Sequence, residues 1–346
     1  MLVATIVALF IVIMIHELGH FYFCRRAGVY VKSFSIGFGK PIWKRTDKHG
    51  TEWRVGWLWL GGYVQPHGQS DILSQKEKDA YSKEDRKGHF AFISYTNKLL
   101  IMFGGVLFNF ITAFILLWGL FFFKGIPSTG YTISEIVVST ENEPSKFQVA
   151  DKLQSINGVS VAEKHPVRIL RESESDNFTV VVKRGEEDVK INLVLPQENR
   201  KMGVMLSSEI KDFSPQNIFQ SWHSAGIEFY KQLSKVFNTV KGLITGVYKM
   251  NEMGGLITIA KMSGDALSSG VYIYIFWIVV LHISIGFFNL LPIPGLDGGH
   301  IVFTIIESII RRPLPPIFIK VVFNLGFILL IGLMIYVLWN DIVRML

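Results

Sequence analysis

Four uninterrupted apolar stretches limit what this chain can fold into more than any other feature. They cover residues 1–24, Leu99–Phe123, Val271–Ile293 and Val321–Trp339. Each is long enough for the roughly 20 helical residues that cross a hydrocarbon core of about 30 Å. A backbone in lipid has to satisfy its own hydrogen bonds, so each stretch is expected to be a transmembrane helix. The chain of 346 residues is 49% hydrophobic yet 18% charged, which calls for sizeable aqueous parts beside a membrane core.

The net charge of +7 is unevenly placed. Between Arg25 and Lys98 there are 14 Lys and Arg against 7 Asp and Glu, whereas between Lys124 and Phe276 there are 17 of each. Positively charged loops stay in the cytoplasm, so the Arg25–Lys98 loop and the short loop with Arg311, Arg312 and Lys320 are expected there. Both termini and the large neutral segment then lie outside. The basic balance is thus a signal of topology, and nucleic acid is not an expected partner. Cys24 is the single cysteine, so no disulfide framework supports the external part.

Only the first apolar stretch carries a formal charge, at Glu17 in His16-Glu17-Leu18-Gly19-His20. Charge at membrane depth is expensive and normally marks function. On a helix the two imidazoles lie four residues apart on one face, within reach of one Zn²⁺, with Glu17 beside them to work on water. With Arg25 and Arg26 marking the cytoplasmic face, His20 lies roughly 8 Å and His16 roughly 14 Å inside it, at about 1.5 Å per residue. A catalytic zinc site takes three protein ligands and leaves one position open. Asp297 is the best candidate for the third, being the only acid between Val271 and Ile306, just beyond Pro292 and Pro294, where a regular helix cannot continue. His300 and His282 are the other candidates.

The rest divides by composition. Residues 1–124 form the first half of a membrane core, with two transmembrane helices joined by the loop 25–98. Within that loop Val31–Pro66 is strand-like, aromatic and punctuated by glycine, and predicts a cytoplasmic β-hairpin dipping into the membrane interface. From Gln69 to Gly88 the chain is charged and reads as a solvated loop. Residues 130–210 alternate apolar and polar, as in Phe178–Val182 and Val189–Leu195, and suit one small β-rich external domain. Its Asp151–Val159 segment resembles the glycine-turn segment of bacterial PDZ domains, with Ala150 and Lys146 where those domains usually have glycine. Ser214-Pro215 reads as a helix N-cap and first turn. It opens a region 214–265 whose apolar stripe from Trp222 to Val247 predicts an amphipathic helix bracing the bundle, with lysines up to Lys249. Residues 271–346 form the second half of the core, with two more transmembrane helices.

Taken together, His16–His20, the Asn289–Gly298 run matching N-x-x-P-x-P-x-x-D-G, Gly104-Gly105 with Asn109, and the Ser35–Gly39 and Leu60–Val64 glycine motifs resemble the site-2 intramembrane metalloproteases. The loop motifs look most like the bacterial regulator-of-sigma-E branch, whose better-known members carry two tandem PDZ domains where this chain has room for one. The resemblance implies zinc on His16, His20 and Asp297, Glu17 as general base, and single-pass membrane proteins, such as an anti-sigma factor, cut within the bilayer near its cytoplasmic side. A helical substrate must be unwound first. The edge of the Trp53–Val64 hairpin, with Gly61 and Gly62, is placed to hold the freed strand, and Asn289, Pro292 and Asn109 are expected to bind freed backbone groups. The alternatives are a membrane metal-ion transporter and an inactive PDZ scaffold. Transport would place polar groups in series along the helices, and a scaffold has no use for a carboxylate between two histidines.

Overall fold

The first helix of the computed structural model, α1 (Leu2–Arg26), buries Ala4, Ala8, Val12, His16 and Gly19 along one stripe, so the motif histidine continues a line of packing residues. Gly28, with φ +73°, ends it. Val29 N–H reaches back to the Cys24 carbonyl at 2.9 Å, and Arg25 and Arg26 occupy the last turn. The structure describes residues 1–69, 73, 75–137, 146–161, 165–196, 202–248 and 254–344. Ser74, in the charged loop, and Lys249 lie outside them.

Two long strands follow, β1 (Val31–Thr46) and β2 (Glu52–Pro66), and they make more than the expected hairpin. Ser33–Ile36 pair with Gly62–Gln65 and also with Glu52–Val55, while Glu52–Val55 pair in turn with Trp43–Thr46. Both strands therefore bend back, and the ladder is four segments wide. Glycine permits the bends: Gly37 and Gly39 have φ of +85° and +83°, and a Cβ on Gly56 would meet the Phe38 carbonyl oxygen at 2.5 Å. The Gly62–Gln65 row forms one edge of this ladder, with no outer strand partner among the described residues.

After a short helix, α2 (Gln75–Ala80), and a turn of 3₁₀ helix at Phe90–Phe92, α3 (Tyr95–Phe123) carries the second apolar stretch. A β-rich unit, Phe121–Ser221, comes next. Its strands β3 (Ile126–Ile136), β4 (Lys152–Ile156), β5 (Val159–Ser160), β6 (Asn177–Arg184), β7 (Glu187–Val194) and β8 (Val204–Ser214) make an antiparallel sheet in the order β7-β6-β4-β3-β8, with β5 on β4 and one helix, α4 (Pro166–Glu172), after β5. Phe178, Val180 and Val182 alternate into its core with Leu153, Ile156 and Ile191, as the period-two pattern requires. Asn157-Gly158, both at positive φ, make the two-residue turn from β4 to β5. Ala150 also takes a left-handed φ of +74°, the conformation that glycine accepts more readily.

The long amphipathic helix is α5 (Ile218–Ile244), and its cap differs from the expected one. Ser214 ends β8, and Asn217 caps the helix instead. Its Oδ1 accepts from Phe219 and Gln220 N–H at 3.1 and 2.9 Å while Gln220 Oε1 accepts from Asn217 N–H, a reciprocal capping box, whereas Ser214 is still in β8. Trp222 and Phe229 pack edge-on against Phe114 of α3.

Helix α6 (Leu256–Ser268) leads to α7 (Val271–Asn289), α8 (Asp297–Ile310) and α9 (Pro316–Val343). Four helices, α1, α3, α7 and α9, are long and apolar enough to cross a membrane. The third apolar stretch stops being helical at Asn289, four residues short of Ile293, because the prolines beyond it lack the donor and the φ freedom to continue. Ala8 and Val12 of α1 pack on Ile278 and Leu281 of α7. At the far end Asp341 of α9 accepts from the N–H groups of Gly255, Ile257 and Thr258, capping α6 from another helix.

Candidate metal centre

Two helices, α1 and α8, converge on one point. His16 and His20 come from successive turns of α1, and Asp297 is the first residue of α8. The two Nε2 atoms lie 3.3 Å apart, and Asp297 Oδ2 is 3.1 Å from His16 Nε2 and 3.3 Å from His20 Nε2. Three donors with such spacings form a face of a tetrahedron whose centre is about 2.0 Å from each corner, the distance at which zinc holds histidine and carboxylate ligands. Asp297 Oδ2 is buried and accepts no hydrogen bond although two imidazole nitrogens approach it, as expected of a carboxylate oxygen placed to share a cation with them. Among the described residues this is the one group of three His, Cys, Asp or Glu whose ligand atoms gather so closely. The residues present fit a zinc ion.

Helix α3 supports the two histidines. His20 Nδ1 lies 2.7 Å from the Ile101 carbonyl oxygen, so Nδ1 carries the proton and Nε2 is left free. Asn109, fully buried, places its amide 3.3 Å from His16 Nδ1 and 3.0 Å from His282 Nδ1 on α7. Gly105 lies against both rings: a Cβ there would be 2.6 Å from His16 Cε1 and from His20 Nε2. Gly298 and Gly299 let the start of α8 close onto the bend after α7, since Cβ atoms on them would meet the Leu291 and Ile293 carbonyl oxygens at 2.2 and 2.5 Å.

The convergence opens into a cavity of about 240 Å³ lined by Glu17, Gly62, Tyr63, Val64, Asn289 and His300 beside the three candidate ligands. Glu17 is therefore next to the candidate metal position without belonging to it. Gly62 faces it so closely that a Cβ would be 3.2 Å from Glu17 Cγ.

Not every residue expected at the site reaches it. Neither His282 nor His300 joins the cluster; His300 packs on the Phe323 ring at 4.3 Å. The Asn109 amide is held between two histidines and is not available to a substrate. Asn289 lines the cavity while its Nδ2 donates to the Ile285 carbonyl of its own helix at 3.0 Å. Gly61 packs against the Phe38 ring, and Pro292 is exposed outside the cavity lining. The supports that reading the residues alone misses, the Ile101 carbonyl and the His282 contact, carry no pattern in sequence, since one is backbone and the other joins residues 173 positions apart.

Comparison with known proteins decides the class. Residues 4–333 match the model of peptidase family M50. The chain belongs to that family. A Rickettsia conorii protein named a putative zinc metalloprotease is 31% identical over 99% of this chain and 98% of its own length. A similarly named protein of Campylobacter jejuni is 31% identical over 99% and 93%, and metalloprotease MmpA of Caulobacter vibrioides 28% identical over 99% and 96%. This M50 chain is accordingly a membrane metalloprotease, and its metal is zinc.

Proposed function

We propose that His16, His20 and Asp297 hold the zinc, that Glu17 is the general base, and that the substrates are single-pass membrane proteins cut inside the bilayer. The observation that carries this reading is the triangle of 3.1–3.3 Å between the three donors, built partly on a helix that is otherwise apolar enough to span lipid. Bound zinc supplies a Lewis acid that polarises a carbonyl and acidifies water. The Glu17 carboxylate then takes the proton from the attacking water and delivers it to the nitrogen of the leaving amine. Gly62–Gln65, the open edge beside Glu17, receives the unwound substrate as an added strand. The row starts on a glycine and, among the described residues, has no outer strand partner, which supports that reading. The charge count supports an inner-membrane orientation with both termini periplasmic, so the reaction lies towards the cytoplasm and releases a membrane-tethered regulator such as an anti-sigma factor. The β-rich unit is read as PDZ-like on its β4-turn-β5 segment.

Glu17→Gln tests the central assignment, because the amide keeps the shape and loses the base. Cleavage of a model single-pass substrate is expected to fall at least 10²-fold, the lower end of what general-base catalysis contributes, with zinc content unchanged by metal analysis. Wild-type turnover by the zinc-loaded variant would remove Glu17 from the chemistry.

A further inference from the structure

A second, larger cavity of about 780 Å³ adjoins the candidate metal centre, and Tyr63, Val64, Gln69 and His300 line both. Gln65 and Gly68 line only the larger one. The open edge of the β ladder thus runs from Glu17 directly into it. An extended chain laid along that edge advances about 3.3 Å per residue, so it is beside Gln65 about three residues, roughly 10 Å, after passing Gly62.

The wall of this cavity holds a buried cation, Lys98, that has no ion-pair partner among the described residues. Lys98 is 7% exposed, its ammonium sits 5.7 Å from the Phe90 ring centre and 5.5 Å from that of Tyr95, and among the described residues no carboxylate comes within ion-pair distance of it. Lys78 and Lys320 line the same cavity; the one acid among its described lining residues is Glu307, whose charge also acts on Lys98 and one of whose oxygens already accepts from Leu314 N–H. The two aromatic faces recover part of the cost of burying an ammonium, and three lysines against one described carboxylate still favour an arriving anion. Apolar Phe303 and Phe323 supply the rest of the lining that a peptide segment needs.

We infer that this cavity is a substrate subsite that selects an acidic side chain, Asp or Glu, about three to five residues from the scissile bond, on the side of the substrate that leaves the metal centre past Lys98. The inference rests on the proposed proteolytic reading and deepens it by naming a sequence preference. Continuity with the catalytic cavity along one strand edge favours the substrate chain over a lipid headgroup as the source of the carboxylate.

The test moves a single Asp, with Asn as its control, through positions one to seven on each side of the cut in a model single-pass substrate. The wild-type enzyme is assayed in neutral detergent micelles. The Asp/Asn ratio of kcat/KM is expected to peak at about tenfold, the worth of one charge-assisted contact, at positions three to five on one side only. In Lys98→Gln that peak should flatten to less than about twofold, and in Lys98→Arg it should persist, with zinc content measured in each variant. A profile flat across all positions in the wild type overturns the subsite, and so does a peak that survives in zinc-loaded Lys98→Gln. Stimulation by phosphatidylglycerol over phosphatidylcholine vesicles that depends on Lys98, together with a flat Asp profile, would assign the cation to a headgroup and also overturn it. Failure of the zinc-loaded wild type to cut any substrate would instead remove the proteolytic reading, and the subsite with it.

Discussion

Gly19 of α1 and Gly104 of α3 touch backbone to backbone: a Cβ on Gly19 would lie 2.1 Å from the Gly104 carbonyl oxygen, and one on Gly104 would lie 2.7 Å from that of Gly19. Small residues at such a crossing let membrane helices approach closely. Here the approach brings the Ile101 carbonyl, Gly105 and Asn109 up to the histidines. Gly104→Ala must push α3 away from α1, since backbone cannot yield as a side-chain end can. A misplacement of about 1 Å at such a site costs on the order of a hundredfold in rate. Zinc content and cleavage rate of the purified variant are expected to fall together, and a normal value of both would show the crossing to be slack.

Asp297→Asn replaces a charged ligand by a neutral amide that binds zinc far more weakly. Chelator competition is expected to show a loss of about a hundredfold or more, beyond the 10–100-fold typical of losing an outer-shell partner. Unchanged affinity would transfer the third position to His300, the remaining imidazole on the cavity wall.

Asn109 joins His16 to His282. Its Nδ2 faces His16 Nδ1 and its Oδ1 faces His282 Nδ1; holding a metal through His16 Nε2 calls for the flipped amide, in which Oδ1 accepts from His16 Nδ1–H and Nδ2 donates to His282. Asn109→Leu removes that acceptor and is expected to lower zinc affinity about 10–100-fold, and Asn109→Asp, which keeps an acceptor, should recover most of it. Equal losses in both variants would mean that Asn109 acts by packing alone.

In the β-rich unit Arg184 donates to both oxygens of Asp151, at 2.8 and 2.7 Å, and this holds the Asp151 carboxyl below its usual range. A carboxylate depressed by folding stabilises the native state at pH values above the unfolded pKa, about 3.9. That stability is lost as pH falls from there through the lower folded value. Thermal unfolding of this unit followed from pH 6 down to pH 3 should therefore show an acid-side decline. Asp151→Asn should be less stable at pH 6 and lose less on acidification, so parallel curves for the two proteins would refute the assignment.

The four apolar helices and the alternating strands were legible because both depend on local periodicity: a stretch with no charge over twenty residues has few structures open to it in lipid, and Phe178, Val180 and Val182 on one face have one side to bury. The doubling of the expected hairpin was not legible. Its second pairing depends on Gly37, Gly39 and Gly56 allowing two backbones within a few ångströms, and a glycine in sequence does not say which neighbour will approach it. The cap of α5 was misread for a related reason. Ser-Pro and Asn-x-x-Gln are both start signals, and the extent of β8 chose between them.

For the candidate site, the sequence by itself determined that two imidazoles and a carboxylate lie within one turn and a half of a membrane-depth helix, because helical spacing is a local property. Only the tertiary structure decided that Asp297, 277 residues after His20, comes within 3.3 Å of it, that Asn109 turns away from the cavity to join two histidines, and that Tyr63 and Val64 line both the cavity of Glu17 and the larger one that Lys98 lines. Those relations are set by close packing between elements, where glycines remove the Cβ atoms that would keep the backbones apart, and close packing is a property of pairs of surfaces that no single segment encodes.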